Sequence, residues 1–478
     1  MEYVDGAVAV LEGIGEALPS VDNVLFDALD EQLGAVSAAV GFPMDQLKYV
    51  ACLVMVYPLS LVFRALPKSL VVRQVFATVF GFGMGLYVFR EAMVHSLFTA
   101  TMVYLLVLFT PSSLRPKVVF VFTLGYMCLC HIYRQYTDYG GWSLDVTGPQ
   151  MILTIKLTSF AYNVSDGDRL DKCDKEQKKY AVTRMPSLLE FYSFVYYFGG
   201  FLAGPAFEFS DYRAFMERSV SKDGCPSAWV PSLTKFVLAL VFMGGVMIGD
   251  MFDVKFMSTD AYWALPLFHR LGYQWLSVTM YRYKYYFGWF LAEGGCNAAG
   301  FGHDEESGSW DKITNVRVLE VEFAPNVRSV MANWNIGTAV WLRRYVYNRL
   351  NPDTSKGAPL YVQLATYMTS AFWHGFYPGY YMTFFSGALM NNAARGLRKA
   401  FRPRAVAGGA VVKKLYDIAS FLTTAIILNY TCTPFTLLFF ADGWRMWKSV
   451  FFLGHILTVA AMFLAPMLVP RKPKSKSS

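Results

Sequence analysis

The sequence predicts an all-α polytopic membrane protein, and three observations carry that expectation. Hydrophobic residues make up 55% of the 478 and charged residues 16%, well below the roughly 25% charge of a soluble domain. Apolar runs recur along most of the length, as a chain that crosses a bilayer repeatedly requires. Residues 447–469, "WKSVFFLGHILTVAAMFLAPMLV", hold one Lys and one His in a span-length stretch, which argues against a large soluble enzyme with long buried helices. Backbone at bilayer depth must satisfy its own hydrogen bonds, so the spans are expected to be helices rather than the strands of a barrel.

Taken in order, residues 1–46 form an acidic arm without Lys or Arg. The positive region of a cleavable signal is therefore missing, and the first span is expected to serve as the targeting signal. Windows of about 19 residues place spans at 47–64, 70–89, 92–110, 117–135, 146–163, 188–207, 229–250, 262–291, 358–373, 377–394, 415–439 and 447–469. The 262–291 run is too long for one simple span and 358–373 is short. The expectation is about eleven crossings, with one or two re-entrant or interfacial pieces. Residues 47–469 are read as one membrane domain and 470–478 as a basic tail.

Basic residues orient these spans. The tail carries Arg471, Lys472, Lys474 and Lys476, and the loop 395–414 carries seven Lys and Arg. Two spans separate them, so they share a side, which the positive-inside rule makes cytosolic. Arg64, Lys68 and Arg73 put the first connecting loop on the same side, and the acidic arm falls on the lumenal one. The net charge of +8 is thus mainly a topology signal, and no nucleic-acid partner is expected. Seven scattered cysteines without a CxxC pair suggest neither a disulfide framework nor a zinc site, and no metal is expected. The loops 164–185 and 302–327 read as solvated surface.

Against this background His374, one of six histidines, stands out in "TSAFWHGFYPGYYMTF" (369–384). An ionisable group at bilayer depth is costly and tends to mark a site, although a buried histidine bonded to a neighbouring helix is an equally ordinary explanation. Gly375, Pro378 and Gly379 interrupt the helix beside it, so imidazole and backbone can line a cavity. A neutral imidazole there suits a general base. Asn335, in "NWNIGTAVWLRRYVYNRL" (333–350), precedes an amphipathic helix. Its position suits either an N-cap or an amide that orients substrate or steadies developing charge.

These two stretches, with Asn335 and His374 39 residues apart, resemble the membrane-bound O-acyltransferase family, and within it the lysophospholipid acyltransferase branch. "DVTGPQMILTIKLTSFAYNVSDG" (145–167), "FGGFLAGPAFEFSDYRAFM" (198–216) and "RYKYYFGWFLAEGGCNAAGFG" (282–302) add to the resemblance in family order. It implies a helical fold around a buried catalytic tunnel. The implied activity transfers a fatty acyl group from acyl-CoA to the free hydroxyl of a lysophospholipid, with acyl-CoA as co-substrate and no cofactor. His374 would be the base and Asn335 the asparagine of the same site. No cysteine or serine is placed to form an acyl-enzyme.

Substrate contacts are expected from Trp334, Trp341, Trp373, Tyr377 and Tyr380. Arg343 and Arg344, like Arg282 and Lys284, are read either as snorkelling side chains or as contacts to lipid or CoA phosphate. Asp145, Gly148, Ile152 and Lys156 share a helix face, with the two charges roughly 16 Å apart and each paired to another helix. Glu208 reads as a buried partner for a basic group. Lysines third and fifth from the C-terminus resemble a retrieval signal for the endoplasmic reticulum. The alternatives are an acyltransferase of the same superfamily acting on a neutral lipid or a protein, and a lipid transporter or scramblase.

Overall fold

A computed structural model describes residues 24–141, 143–221, 224–351 and 358–469. The tail with its lysines and the first 23 residues of the arm lie outside them. Every regular element among the described residues is helical, as backbone in a bilayer demands. The chain divides into two compact units, residues 1–243 with 285–315, and 244–284 with 316–478.

The first unit begins with α1 (Val24–Val40), α2 (Met44–Ala65), α3 (Leu70–Phe89), α4 (Met93–Phe109) and α5 (Arg115–Thr137). Asp30 of α1 ties the arm to the spans by accepting from Lys48 at 2.6 Å and Arg90 at 2.8 Å. Arg90, with φ 50°, interrupts the apolar run between α3 and α4. Then follow α6 (Thr147–Gly167), α7 (Leu188–Val195), α8 (Phe209–Val220), α9 (Trp229–Gly249) and α10 (Leu267–Ala299). The last two pass from one unit to the other.

The 188–207 stretch differs from the expected span. Only Leu188–Val195 is helical, because "FGGFLAGP" cannot sustain a helix, and residues 196–207 continue in buried turns. Where α7 stops, its last carbonyls lose their intrahelical donors. The Lys156 ammonium replaces them, donating to Phe194 O at 2.5 Å and Val195 O at 3.0 Å. Lys156 therefore caps a helix by way of backbone carbonyls rather than by the expected ion pair. Asp145 precedes α6 and takes Arg134 as its partner at 3.4 Å, so the two charges do not share a helix face. Glu208 accepts from the Asn163 amide at 2.8 Å.

The second unit contains the first half of α10, then α11 (Ile336–Trp341), α12 (Leu360–His374), α13 (Pro378–Ala407), α14 (Gly409–Leu437), α15 (Phe440–Ser449) and α16 (Leu453–Leu468). The stretch 262–291 resolves into a short helix, Asp260–Ala264, and the 33-residue α10, about 50 Å long at 1.5 Å per residue. The basic stretch 395–414 is helical rather than a loop. α13 runs on to Ala407 and α14 starts at Gly409, so the charges ride on helix ends that outlast their apolar segments.

Among the described residues, four helical stretches are long and apolar enough to cross a membrane: Met44–Ala65, Leu70–Phe109, Arg115–Thr137 and Trp229–Ser258. A fifth results if α15 and α16, bent by 75°, count as one.

Candidate active site

The site is built where α12 ends. His374 is its last residue, and Gly375 follows with φ 117°, a backbone conformation that side chains other than glycine's adopt only with strain. Three residues later Pro378 opens α13 at a position where its missing N–H costs nothing. Gly379 presses this first turn against the end of α14. Its N–H donates to Leu438 O at 2.8 Å, and a Cβ there would lie 2.0 Å from Pro434 O. Because the obstacle is backbone, Gly379→Ala is expected to cost about 1–3 kcal/mol as an overpacked contact. A melting temperature equal to the parent's, measured on detergent-purified protein, would contradict this account of the break.

The break leaves the His374 imidazole half-buried among rings. The centroids of Trp373, Phe384, Phe435 and Tyr380 lie 4.7, 4.9, 5.2 and 5.8 Å from its own. Nδ1 lies 2.6 Å from Ser370 O, one turn back on α12. A carbonyl only accepts, so Nδ1 carries the proton and Nε2 of the neutral ring carries the lone pair. The tautomer of this ring is thus set by the main chain.

Asn335 stands at the N-cap position of α11, yet its side chain makes no capping hydrogen bond. Of the two roles that the sequence left open, capping is not the one it performs. Its backbone is left-handed, φ 45° and ψ 57°, which asparagine tolerates better than other side-chain-bearing residues. α11 does not continue as an α-helix: Leu342–Tyr347 form a π-helix, an irregularity frequent at functional sites. This π-turn packs on α12, and the rings of Trp341 and Trp373, both buried, lie 6.2 Å apart. The Asn335 and His374 segments therefore adjoin.

The other expected contact residues divide. Tyr377 is buried, 5.9 Å from Tyr380 and 6.1 Å from Phe439 between ring centroids. Trp334 is half-buried immediately before Asn335, and on the π-turn Arg343 is exposed and Arg344 half-buried. Lys284 lies over the Tyr281 ring at 3.6 Å.

Arg282 is placed otherwise than either expectation. It is 5% exposed and grips Glu322 in two bonds of 2.8 and 2.6 Å. Its remaining donors reach Val278 O, Asn429 Oδ1 and Thr279 Oγ1. All five N–H groups of the guanidinium are engaged, so it neither snorkels nor has a donor left for phosphate. Ser370, Phe384 and Phe435 were not anticipated. The first could have been found by counting one helical turn back from His374, whereas Phe435 is 61 residues downstream and reaches the ring only through the fold.

The family model for the membrane-bound O-acyltransferase family matches residues 132–433. The chain is 32% identical to "Lysophospholipid acyltransferase 6" of Drosophila melanogaster over 92% of its own length, and spans 64% of that relative. It is 33% identical to "Membrane-bound glycerophospholipid O-acyltransferase 2" of Homo sapiens, covering 93% of this chain and 89% of the relative. With "Lysophospholipid acyltransferase" of Schizosaccharomyces pombe the identity is 30%, over 90% of this chain and 88% of the relative.

Proposed function

The chain belongs to the membrane-bound O-acyltransferase family, and from that premise we propose that it is an acyl-CoA-dependent lysophospholipid acyltransferase of the endoplasmic reticulum membrane. The observation that supports this most is the His374 imidazole, which donates its Nδ1–H to Ser370 O and stands inside a ring of aromatic side chains. The names of the relatives supply the substrate class.

In this reading the lysophospholipid hydroxyl attacks the thioester carbonyl directly. Nε2 of His374 takes the hydroxyl proton as the C–O bond forms. The C–S bond then breaks, and the imidazolium returns the proton to the departing CoA thiolate. Asn335 offers an amide N–H to the oxyanion that develops between these steps. Trp341, Trp373, Tyr377 and Tyr380 exclude the water that would otherwise hydrolyse the thioester. A panel of lyso-acceptors, neutral lipids and a peptide with one acyl-CoA, read by mass spectrometry, tests the assignment. Preferential esterification of a neutral lipid or peptide would move it to another branch, and no consumption of thioester would leave a transporter or scramblase.

Sidedness follows from charge. About eleven crossings, with the C-terminus and the Arg395–Lys414 helix ends in the cytosol, remain the topology we propose. Pro378 to Arg395 spans 18 residues of α13, a rise of about 26 Å, which puts His374 well inside the membrane or toward its lumenal side. The phosphorylated head of CoA cannot follow its acyl chain there through lipid. We place it at a cytosolic tunnel mouth near Arg343 and Arg344, with the thioester reaching down to His374 and the lysolipid entering sideways between helices. Arg343→Glu with Arg344→Glu is then expected to raise KM for acyl-CoA about tenfold or more, as losing a charge-assisted contact does, with KM for the lysolipid little changed. Equal shifts in both constants would place the mouth elsewhere.

A further inference from the structure

Residues 250–266 join α9, which is apolar enough to cross the membrane, to α10, so they lie where the chain emerges at one face of the bilayer. α15 belongs to the same face. It is bent by 75° from the apolar α16, and its Met446 shares one buried cluster with Val254, Met257 and Tyr262 of the connection. Its other side exposes Phe440, Trp444, Arg445 and Lys448, the two-sided pattern of a helix lying in the interface. Phe268, at the start of α10, is exposed as well, and aromatic side chains gather at the level of lipid head groups. None of the residues assigned to the His374 site is among these.

Trp263, in the connection, is flanked by two cations. The Arg270 guanidinium lies over its ring at 5.0 Å and that of Arg445 at 4.3 Å, so the two are within about 9 Å of each other. Neither is neutralised. The Arg270 guanidinium meets no acceptor among the described residues; its Nε is buried, whereas its Nη atoms reach the surface. Arg445 is half exposed, and Asp260, fully exposed, stands 4.0 Å from its Nη1, an ion pair that water screens to little. The neighbouring acids are engaged elsewhere. Asp253 accepts from Lys255 N and Asp442 from Ser258 Oγ, each at 3.0 Å.

Two forked donors facing one place suit a phosphate, which offers an oxygen to each. Once a phosphate has taken Arg445, the Asp260 carboxylate beside it is left for a cation joined to that phosphate. At head-group level, the molecule that carries both charges so close together is a zwitterionic phospholipid.

We propose that Arg270 and Arg445 bind the phosphate, and Asp260 the ammonium, of one zwitterionic phospholipid of this leaflet, separate from the reacting lysolipid. Its acyl chains enter the bilayer beside Phe268 and Trp444. Native mass spectrometry of the full-length protein tests it, after delipidation in detergent and addition of dioleoyl phosphatidylcholine, dioleoyl phosphatidylglycerol, dioleoylglycerol or phosphocholine. Because the reaction proposed at His374 also yields a phospholipid, the quantity read is the copy lost in the double variant Arg270→Gln, Arg445→Gln.

That variant should bind phosphatidylcholine at least about tenfold more weakly, as expected for the loss of charge-assisted contacts. Acyl transfer and melting temperature should be kept, since neither guanidinium holds the fold by a hydrogen bond. In the parent, dioleoylglycerol should bind about tenfold more weakly for want of the phosphate, and phosphocholine should not displace the lipid. Phosphatidylglycerol should be the weaker of the two phospholipids, and Asp260→Asn should erase that difference. Undiminished binding in the double variant, equal binding of dioleoylglycerol, or displacement by phosphocholine would overturn the proposal. Equal binding of phosphatidylglycerol by the parent would overturn the zwitterionic assignment. Loss of acyl transfer together with the lipid, in a variant that still melts like the parent, would give these residues to the reaction instead. The readout is binding, so failure here leaves the reaction assigned to His374 untouched.

Discussion

His374→Ala is expected to lower acyl transfer by about 100- to 10,000-fold, the range for removing a positioned general base, with expression and membrane insertion unaffected. Truncating a half-buried ring that touches four others also loosens local packing, so the melting temperature of the same preparation must accompany the rate. His374→Gln keeps most of the volume and can still donate to Ser370 O, but it has no basic nitrogen. It should therefore melt near the parent and remain as inactive as the alanine variant. Turnover within a few fold of the parent in either folded variant would remove the imidazole from the mechanism.

Asn335→Ala should cost nearly as much in turnover. Loss of an N-cap would cost about 1 kcal/mol of stability and leave catalysis largely intact, but the Asn335 side chain does not cap α11. Alanine at φ 45° adds backbone strain of its own, roughly 1–2 kcal/mol, which would blur the result. Asn335→Gly removes the amide and relaxes the left-handed backbone. It should be stable and inactive. Asn335→Asp keeps an acceptor but loses the N–H and should retain only a little turnover. If the glycine variant turns over normally, the amide takes no part. If the aspartate variant does, Asn335 is an acceptor and the oxyanion role is wrong.

How much of this was legible in the sequence depends on the range of the interaction. The break at Gly375–Gly379 was readable because glycine and proline act on the backbone where they stand, and His374 was conspicuous because charge is scarce in an apolar run. Helix ends were less so. Gly199, Gly200 and Pro205 stopped the 188–207 span early despite its hydropathy, since a window average cannot weigh a few residues that refuse helical geometry. Lys156 was readable as a cation in need of a partner on another element, whereas Arg282 read as a snorkelling or phosphate-binding side chain, and neither partner was visible, because Phe194 O and Glu322 are supplied by the fold. The π-turn at Leu342–Tyr347 had no signal in residue spacing, for its side chains are those of an ordinary amphipathic helix.

The partner of His374 Nδ1 is a main-chain carbonyl, and that shapes what mutagenesis can reveal. In a hydrolase triad the residue that orients the histidine is itself a side chain, and its loss is recorded as a phenotype. Here every amino acid at position 370 presents the same oxygen. If His374 is the base, a scan of the chain by substitution would find it and miss what aims it. Drift at position 370 is likewise harmless to the tautomer so long as α12 stays helical to its last turn. The orientation of the His374 ring is inherited from secondary structure, so the last turn of α12, rather than any one partner residue, is what holds it in place.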